Sequence, residues 1–307
     1  RDRLRMTQAI IAIGEGQNAQ AKIILQGLVD EDSKNVMALA FFAEFLTVER
    51  DEEGLARVLR RLELAAGPDD YHVLMAYAGQ AMLKSSLESA RNNVGVAKDS
   101  LESARNYYER ASQKQTGNIV LLERLLELDF RLADKESAQG HAVRILRLDR
   151  NHSGANYIMG SLTLAKDIDA AIDYLTLSVA SRPSVANLND LAVAHLMKNN
   201  LDMARHYAQE GLELGEDSYN LWDTYGQILV AEGKYDEAEK AFDKALRIES
   251  SDPRVRIHLA EACDKKGDTE RAREIVGALA LDAENLPRDE RALFDELYLK
   301  LHGKSLR

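Results

Sequence analysis

The stretch NLWDTYGQILVAEGKYDEAEKAFDKALRIE, Asn220–Glu249, decides how the chain is read. With Tyr219 as position one of a 34-residue unit, Trp222 falls at four, Gly226 at eight, Gly233 at fifteen and Tyr235 at seventeen. Ala238, Phe242 and Ala245 follow at twenty, twenty-four and twenty-seven. These positions suit two helices, A and B, joined by a tight turn. The small residue at eight lets helix A approach helix B, and glycine at fifteen suits the turn. Alanine at twenty lets helix B pack closely at the crossing.

Steps of 34 recover further units. Position twenty reads Ala21, Leu55, Ala104, Ala138, Ala171, Ala204, Ala238 and Ala272; position eight reads Ala9, Ala43, Ala78, Leu126, Gly160, Ala192, Gly226 and Ala260. Leu55 and Leu126 depart from the small-residue rule and should loosen packing locally. The fifth unit is one residue short in its turn, at Lys166–Ile168. The pattern resembles the tetratricopeptide repeat. The resemblance covers nearly the whole chain and implies an all-α, right-handed α-solenoid of helix hairpins. Eight repeats are expected, at about 2–35, 36–69, 70–118, 119–152, 153–184, 185–218, 219–252 and 253–286. Pro287 should then open a C-terminal capping helix over 287–302, whose Leu293, Leu297 and Leu301 share one face.

Composition agrees with a foldable helical chain of 307 residues, 45% hydrophobic and 30% charged, with only four prolines and 18 glycines. No apolar run approaches the roughly 20 residues of a membrane span. A net charge of −11 argues against general nucleic-acid binding, which needs a basic face. Arg57, Arg60 and Arg61 make a small basic patch, read as a solvated helix face. The single cysteine, Cys263, excludes an internal disulfide and fits cytosol or periplasm alike. The chain opens Arg-Asp-Arg, which reads as a piece cut from a longer precursor.

The heptapeptide SLESARN occurs at Ser86–Asn92 and again at Ser100–Asn106, and the third unit is fourteen residues too long. Fourteen residues is close to four helical turns, so each copy keeps its face. The one turn signal in this unit is Asn92-Asn93-Val94-Gly95, which predicts helix A to about Arg91 and helix B from about Ala97. Either Ala90 or Ala104 could serve at position twenty. The overlong hairpin should project about 10 Å, sealed internally by Leu83, Leu87, Val94, Leu101 and Tyr108. It is either a docking spur or a slippage duplication that the fold tolerates.

No HExxH, GxxxxGK[ST], GxSxG or paired CxxC motif is present, so no catalytic, metal or cofactor residues are assigned. Position eleven of helix A carries Asp129, Thr163, His195 and Cys263. This row is either a site or a set of hydrogen-bonded core residues. A slip of register that buried Phe130 would put Asp129 in water.

In the repeat family, positions two, five, six and nine of helix A line a concave groove. The resemblance implies a polar groove of Ala186, Asn189, Asp190 and Val193, then Asn220, Asp223, Thr224 and Gln227, then Arg254, Ile257, His258 and Glu261. Amides there suit an extended peptide backbone. The first three units present an apolar alternative: Met6 and Ile10, then Met37, Ala40 and Phe41, then Met75, Ala76 and Gly79. Methionine suits an adaptable surface for an amphipathic helix. The carboxylate clamp that grips chaperone tails is missing from any three consecutive units.

NLNDLAVAHL, followed one unit later by LWDTYGQ, is similar to a signature of bacterial envelope repeat proteins, including exopolysaccharide-export scaffolds. Asn189, Leu191, Ala192, Asp223, Thr224 and Gly226 carry the match. The expected function is a non-enzymatic scaffold for a protein or peptide partner, in a bacterial envelope or periplasmic setting. A cytoplasmic regulatory adaptor and the non-catalytic part of a larger enzyme, such as a glycosyltransferase, stay open.

Overall fold

Helix ends follow from local chemistry that the sequence carries openly. Asn35, Asp51, Asp70, Asn118, Asp167, Ser218 and Asp268 each precede a helix, and each side chain accepts a hydrogen bond from a backbone N–H of the first turn. Ser184 and Asn187 form a reciprocal capping box. The computed structural model describes residues 2–250, 252–280, 283–286 and 288–303. Among these the chain forms seventeen α-helices and no strand. The all-α reading therefore holds.

The chain divides into two compact units, Arg1–Leu148 and Asp149–Arg307. The first contains α1 (Asp2–Gly14), α2 (Asn18–Glu31), α3 (Val36–Val48), α4 (Glu52–Ala66), α5 (Tyr71–Ala90), α6 (Val94–Lys114), α7 (Ile119–Arg131) and α8 (Lys135–Leu148). The second contains α9 (Ser153–Thr163), α10 (Ile168–Ser181), α11 (Val185–Met197), α12 (Leu201–Leu214), α13 (Tyr219–Ala231), α14 (Tyr235–Ile248), α15 (Pro253–Lys266), α16 (Thr269–Leu279) and α17 (Arg288–His302). Within each unit, each odd helix up to α15 packs antiparallel on the even helix that follows, and each hairpin stacks on the next.

The turns inside the hairpins, that of α9 and α10 excepted, share one device. Gly16, Arg50, Ala133, Asn199, Gly233 and Gly267 all adopt positive φ, between 56° and 97°. The next residue's N–H then bonds a carbonyl five residues back, as in Asp134 to Asp129 and Lys234 to Leu229. The geometry is kept even where the residue is not glycine. The hairpin of α9 and α10 is one residue short and has no left-handed residue; Asp167 N–H bonds the Thr163 carbonyl instead.

Close backbone approach explains the small residues. Ala9, Ala43, Ala78, Ala192 and Ala260 of the A helices, and Ala21, Ala104, Ala171, Ala204, Ala238 and Ala272 of the B helices, are wholly buried. At Gly226 a Cβ would lie 2.4 Å from the Phe242 ring, and at Gly160 one would lie 2.6 Å from Leu175. Leu55 and Leu126 are buried as well.

The overlong hairpin is α5 with 20 residues and α6 with 21, against 11–15 in the other helices. About seven extra residues per helix add roughly 10 Å. Its turn falls at Arg91–Asn93, and Asn92 takes the left-handed position at φ 65°. Leu83, Leu101 and Tyr108 are buried and Leu87 is half-buried. Val94 is not part of this seal: it opens α6 beside the tip and is 73% exposed. Of the two candidate alanines Ala104 is buried and Ala90 exposed, so the second heptapeptide takes the packed position. At the chain's end, Phe294, Leu297 and Leu301 of α17 are buried against α15 and α16, with Leu293 half-buried beside them. Pro287 lies outside the described residues.

Candidate functional site

The A helices α1, α3 and α5 each turn apolar side chains to one face of the first unit. A groove of about 450 Å³ opens there, lined by Met6, Met37, Ala40, Phe41, Met75 and Ala76 together with Gly79. A second hollow of about 380 Å³ adjoins it between α1 and α3, lined by Ile10, Ile13, Phe41, Phe45 and Val48. Phe41, Glu44 and Val48 line both, so the two run together along α3. Met37 is 62% exposed, Val48 75% and Ile10 53%, whereas Phe41 is half-buried against the core. The structure thus brings Met6, Met37, Phe41 and Met75 into one surface. Sequence reasoning missed Val48, which lies one turn beyond Glu44 on α3. It also missed Glu44 and His72, although these occupy positions nine and two of their units.

The polar residues of the second unit form a bonded ladder along the same face of successive A helices. Ser161 Oγ on α9 donates to Asp190 Oδ2 at 2.6 Å. Thr224 Oγ1 on α13 donates to Asn189 Oδ1 on α11 at 2.9 Å. Gln227 Nε2 donates to Asp223 at 2.9 Å, and His258 Nδ1 on α15 lies 2.8 Å from the same carboxylate. Arg254 reaches Asp252 at 2.6 Å and Asn220 at 3.3 Å, and Lys265 pairs with Glu261 at 2.8 Å. Burial works against a charged His258, but the Asp223 carboxylate outweighs it and raises the imidazole pKa. Two groove positions are not solvent-facing: Thr224 is 4% exposed and Ile257 is fully buried. The Asn189 carbonyl oxygen is already engaged by the buried Thr224 hydroxyl.

This bond also gives the Asn189-to-Thr224 signature a physical basis, since it clamps one hairpin to the next. Gly226 acts within the hairpin of α13 and α14, where it admits Phe242.

Three of the four side chains in the row at position eleven, Asp129, Thr163 and Cys263, are hydrogen-bonded within the fold. Asp129 is fully buried and accepts from His141 Nδ1 at 2.6 Å, while Phe130 is 67% exposed. Thr163 Oγ1 donates to the Met159 carbonyl at 2.7 Å. Cys263 Sγ donates to Glu239 at 3.2 Å. Burial and the adjacent Glu239 carboxylate push the Cys263 thiol up to about 12. His195 stacks on Tyr207 at 5.5 Å with its Nδ1 unbonded. Burial and the nearby Lys198 lower its pKa, which favours the neutral ring. Among the described residues, no three His, Cys, Asp or Glu side chains converge as metal ligands would, and no helix is long and apolar enough to cross a membrane.

Residues 229–292 match the family model of the tetratricopeptide repeat. One chain of the APC/C hetero-tetramer Cut9–Hcn1 is similar in structure, with a TM-score of 0.59 at 16% identity over 92% of this chain and 52% of that one. This chain therefore spans about half of its length. A tetratricopeptide repeat protein from Parabacteroides merdae matches at TM-score 0.51 and 15% identity over 99% of both chains. PilW, a type IV pilus biogenesis factor, matches at 0.54 and 14% over 69% of this chain and 96% of its own. No curated protein matches the sequence. At these identities the likeness is one of fold, and the fold is that of tetratricopeptide-type helical repeats.

Proposed function

We propose that the chain is a non-enzymatic protein-interaction scaffold that seats an apolar segment of a partner protein in the groove of its first unit. The observation that carries this is the exposure of Met37, Val48 and Ile10 on adjoining helices around a continuous hollow. Apolar surface that its own fold leaves wet gains about 25 cal/mol per Å² when a partner covers it. Contiguous exposed apolar surface of this kind marks interaction sites. The polar ladder of the second unit supports the role less directly, because most of its groups already satisfy one another.

The test is capture from the native organism with three forms of the protein. Met37→Asp combined with Val48→Asn should abolish capture and leave the fold intact, since both side chains are largely exposed. The double change Asn220→Ala, Gln227→Ala should leave capture unchanged. The reverse result would move the interface to the polar face. If neither set matters for a verified partner, the A-helix faces are not the interface. A bacterial envelope is the setting we propose, on the resemblance carried by Asn189, Leu191, Ala192, Asp223, Thr224 and Gly226. Recovery of the native protein wholly in the cytosolic fraction would refute that setting.

A further inference from the structure

Every carboxylate of the second unit's polar ladder has a cation beside it, except one. Asp223 has His258, Asp252 has Arg254 and Glu261 has Lys265. Asp190 has only the Ser161 hydroxyl at 2.6 Å and the Asn189 amide at 3.5 Å. Burial raises the pKa of the Tyr157 phenol on α9, and the Asp190 charge adds to the rise. No Lys, Arg or His among the described residues acts on Asp190, and burial raises its pKa for want of one. A carboxylate withdrawn from water without a counter-charge is costly to keep. The surrounding charge sharpens the point. Asp149–Arg307 holds 20 Lys and Arg against 29 Asp and Glu, a net of −9 out of the chain's −11.

We infer that Asp190 is a recognition site for a cationic side chain, taking the ammonium or guanidinium of a Lys- or Arg-bearing segment of a partner protein. This site lies on the ladder of the second unit and does not rest on the apolar groove. Ser161 and Asn189 orient the carboxylate from either side and leave lone pairs for the incoming cation. The partner is basic for two reasons: the site supplies one unneutralised negative charge, and the unit around it is acidic. The bonded neighbours Asn189–Thr224 and Asp223–His258 keep the wall of the site rigid, so little order must be imposed on binding.

The probe is a fluorescein-labelled octapeptide, (Lys-Ala)4, followed by anisotropy against the full chain. Wild-type protein should bind it, and (Gln-Ala)4 should not bind. Asp190→Asn should weaken binding roughly ten- to a hundredfold, the scale of a lost charge-assisted hydrogen bond. Glu213→Gln removes an exposed charge from α12 and should leave binding unchanged. The free Asp190→Asn protein should melt higher than wild type, since it no longer buries an unpaired charge. Equal affinity of wild type and Asp190→Asn, no binding at all, or an equal loss in Glu213→Gln would overturn the inference. Should Asp190→Asn change the circular dichroism spectrum, the Asp190 carboxyl carbon is titrated by NMR in wild type. The peptide should move its midpoint down in pH, and an unmoved midpoint would overturn the inference equally.

Discussion

Alkaline pH should unlock the junction of α6, α7 and α8. His141 on α8 is 5% exposed, and its ring sits between Asp129 Oδ2 at 2.6 Å and Glu109 Oε1 at 2.8 Å. Arg105 closes the network at 2.7 Å from Asp134 and 3.4 Å from Asp129, and Arg144 lies near Glu109. Burial alone would lower the imidazole pKa. The two carboxylates overcome that and raise it from 6.5 to about 9. A raised folded pKa favours the folded state fully below 6.5, and that contribution drains away as pH climbs through 9. At 1.36 kcal/mol per pH unit the ceiling is about 3 kcal/mol. Glu109 is 39% exposed and so partly screened, which brings the expected range to about 1.5–3 kcal/mol. The measurement is urea unfolding of the full chain by far-ultraviolet circular dichroism, at about pH 6 and about pH 9.5, for wild type and His141→Gln. Taking the difference between the two proteins at each pH cancels the other titrating groups. The wild-type advantage should be large at the lower pH and mostly gone at the higher. An advantage of equal size at both would show that the ring is not charged in the fold.

Deleting Asn93–Asn106 should give a folded chain with nearly unchanged melting temperature, because fourteen residues leave in phase and Ala90 can replace Ala104; an unfolded product would mean that the hairpin tip is integral to its unit. Gly226→Ala should destabilise by about 1–3 kcal/mol, since its Cβ would lie 2.4 Å from the buried Phe242 ring, and unaltered urea unfolding would refute the close-approach reading. Ala133→Gly should stabilise by about 0.5–1 kcal/mol, because Ala133 is exposed and holds φ at 57°; a drop in melting temperature would count against strain at that turn. Cys263, fully buried with its thiol pushed up to about 12, should stay unmodified by thiol reagents in native protein and react only after denaturation.

The sequence by itself determined the hairpins. Alanine and glycine at most of positions eight and twenty report backbones in contact, and at Gly160 and Gly226 the approach leaves no room for a larger side chain, although buried leucines take these positions at Leu55 and Leu126. Capping residues and the left-handed turn are equally local, and all can be read within a few residues of chain. What only the tertiary structure decided are matters of pairing between hairpins. Two identical heptapeptides have identical helical faces, so nothing in their letters says that Ala104 is packed and Ala90 wet. That depends on which copy lies beside the neighbouring hairpins. Val94 carries an apolar residue's expectation of burial, but beside the tip of a hairpin no helix is there to cover it. The polar positions of the second unit looked available for a ligand because their partners lie far along the chain. Asn189 meets Thr224 35 residues away, and His258 meets Asp223 at the same separation. Asp190 looked like its neighbours in the sequence and differs from them only in lacking a cation, which no local pattern records. A helical period places a side chain on a face, and the neighbouring hairpins determine what it meets there.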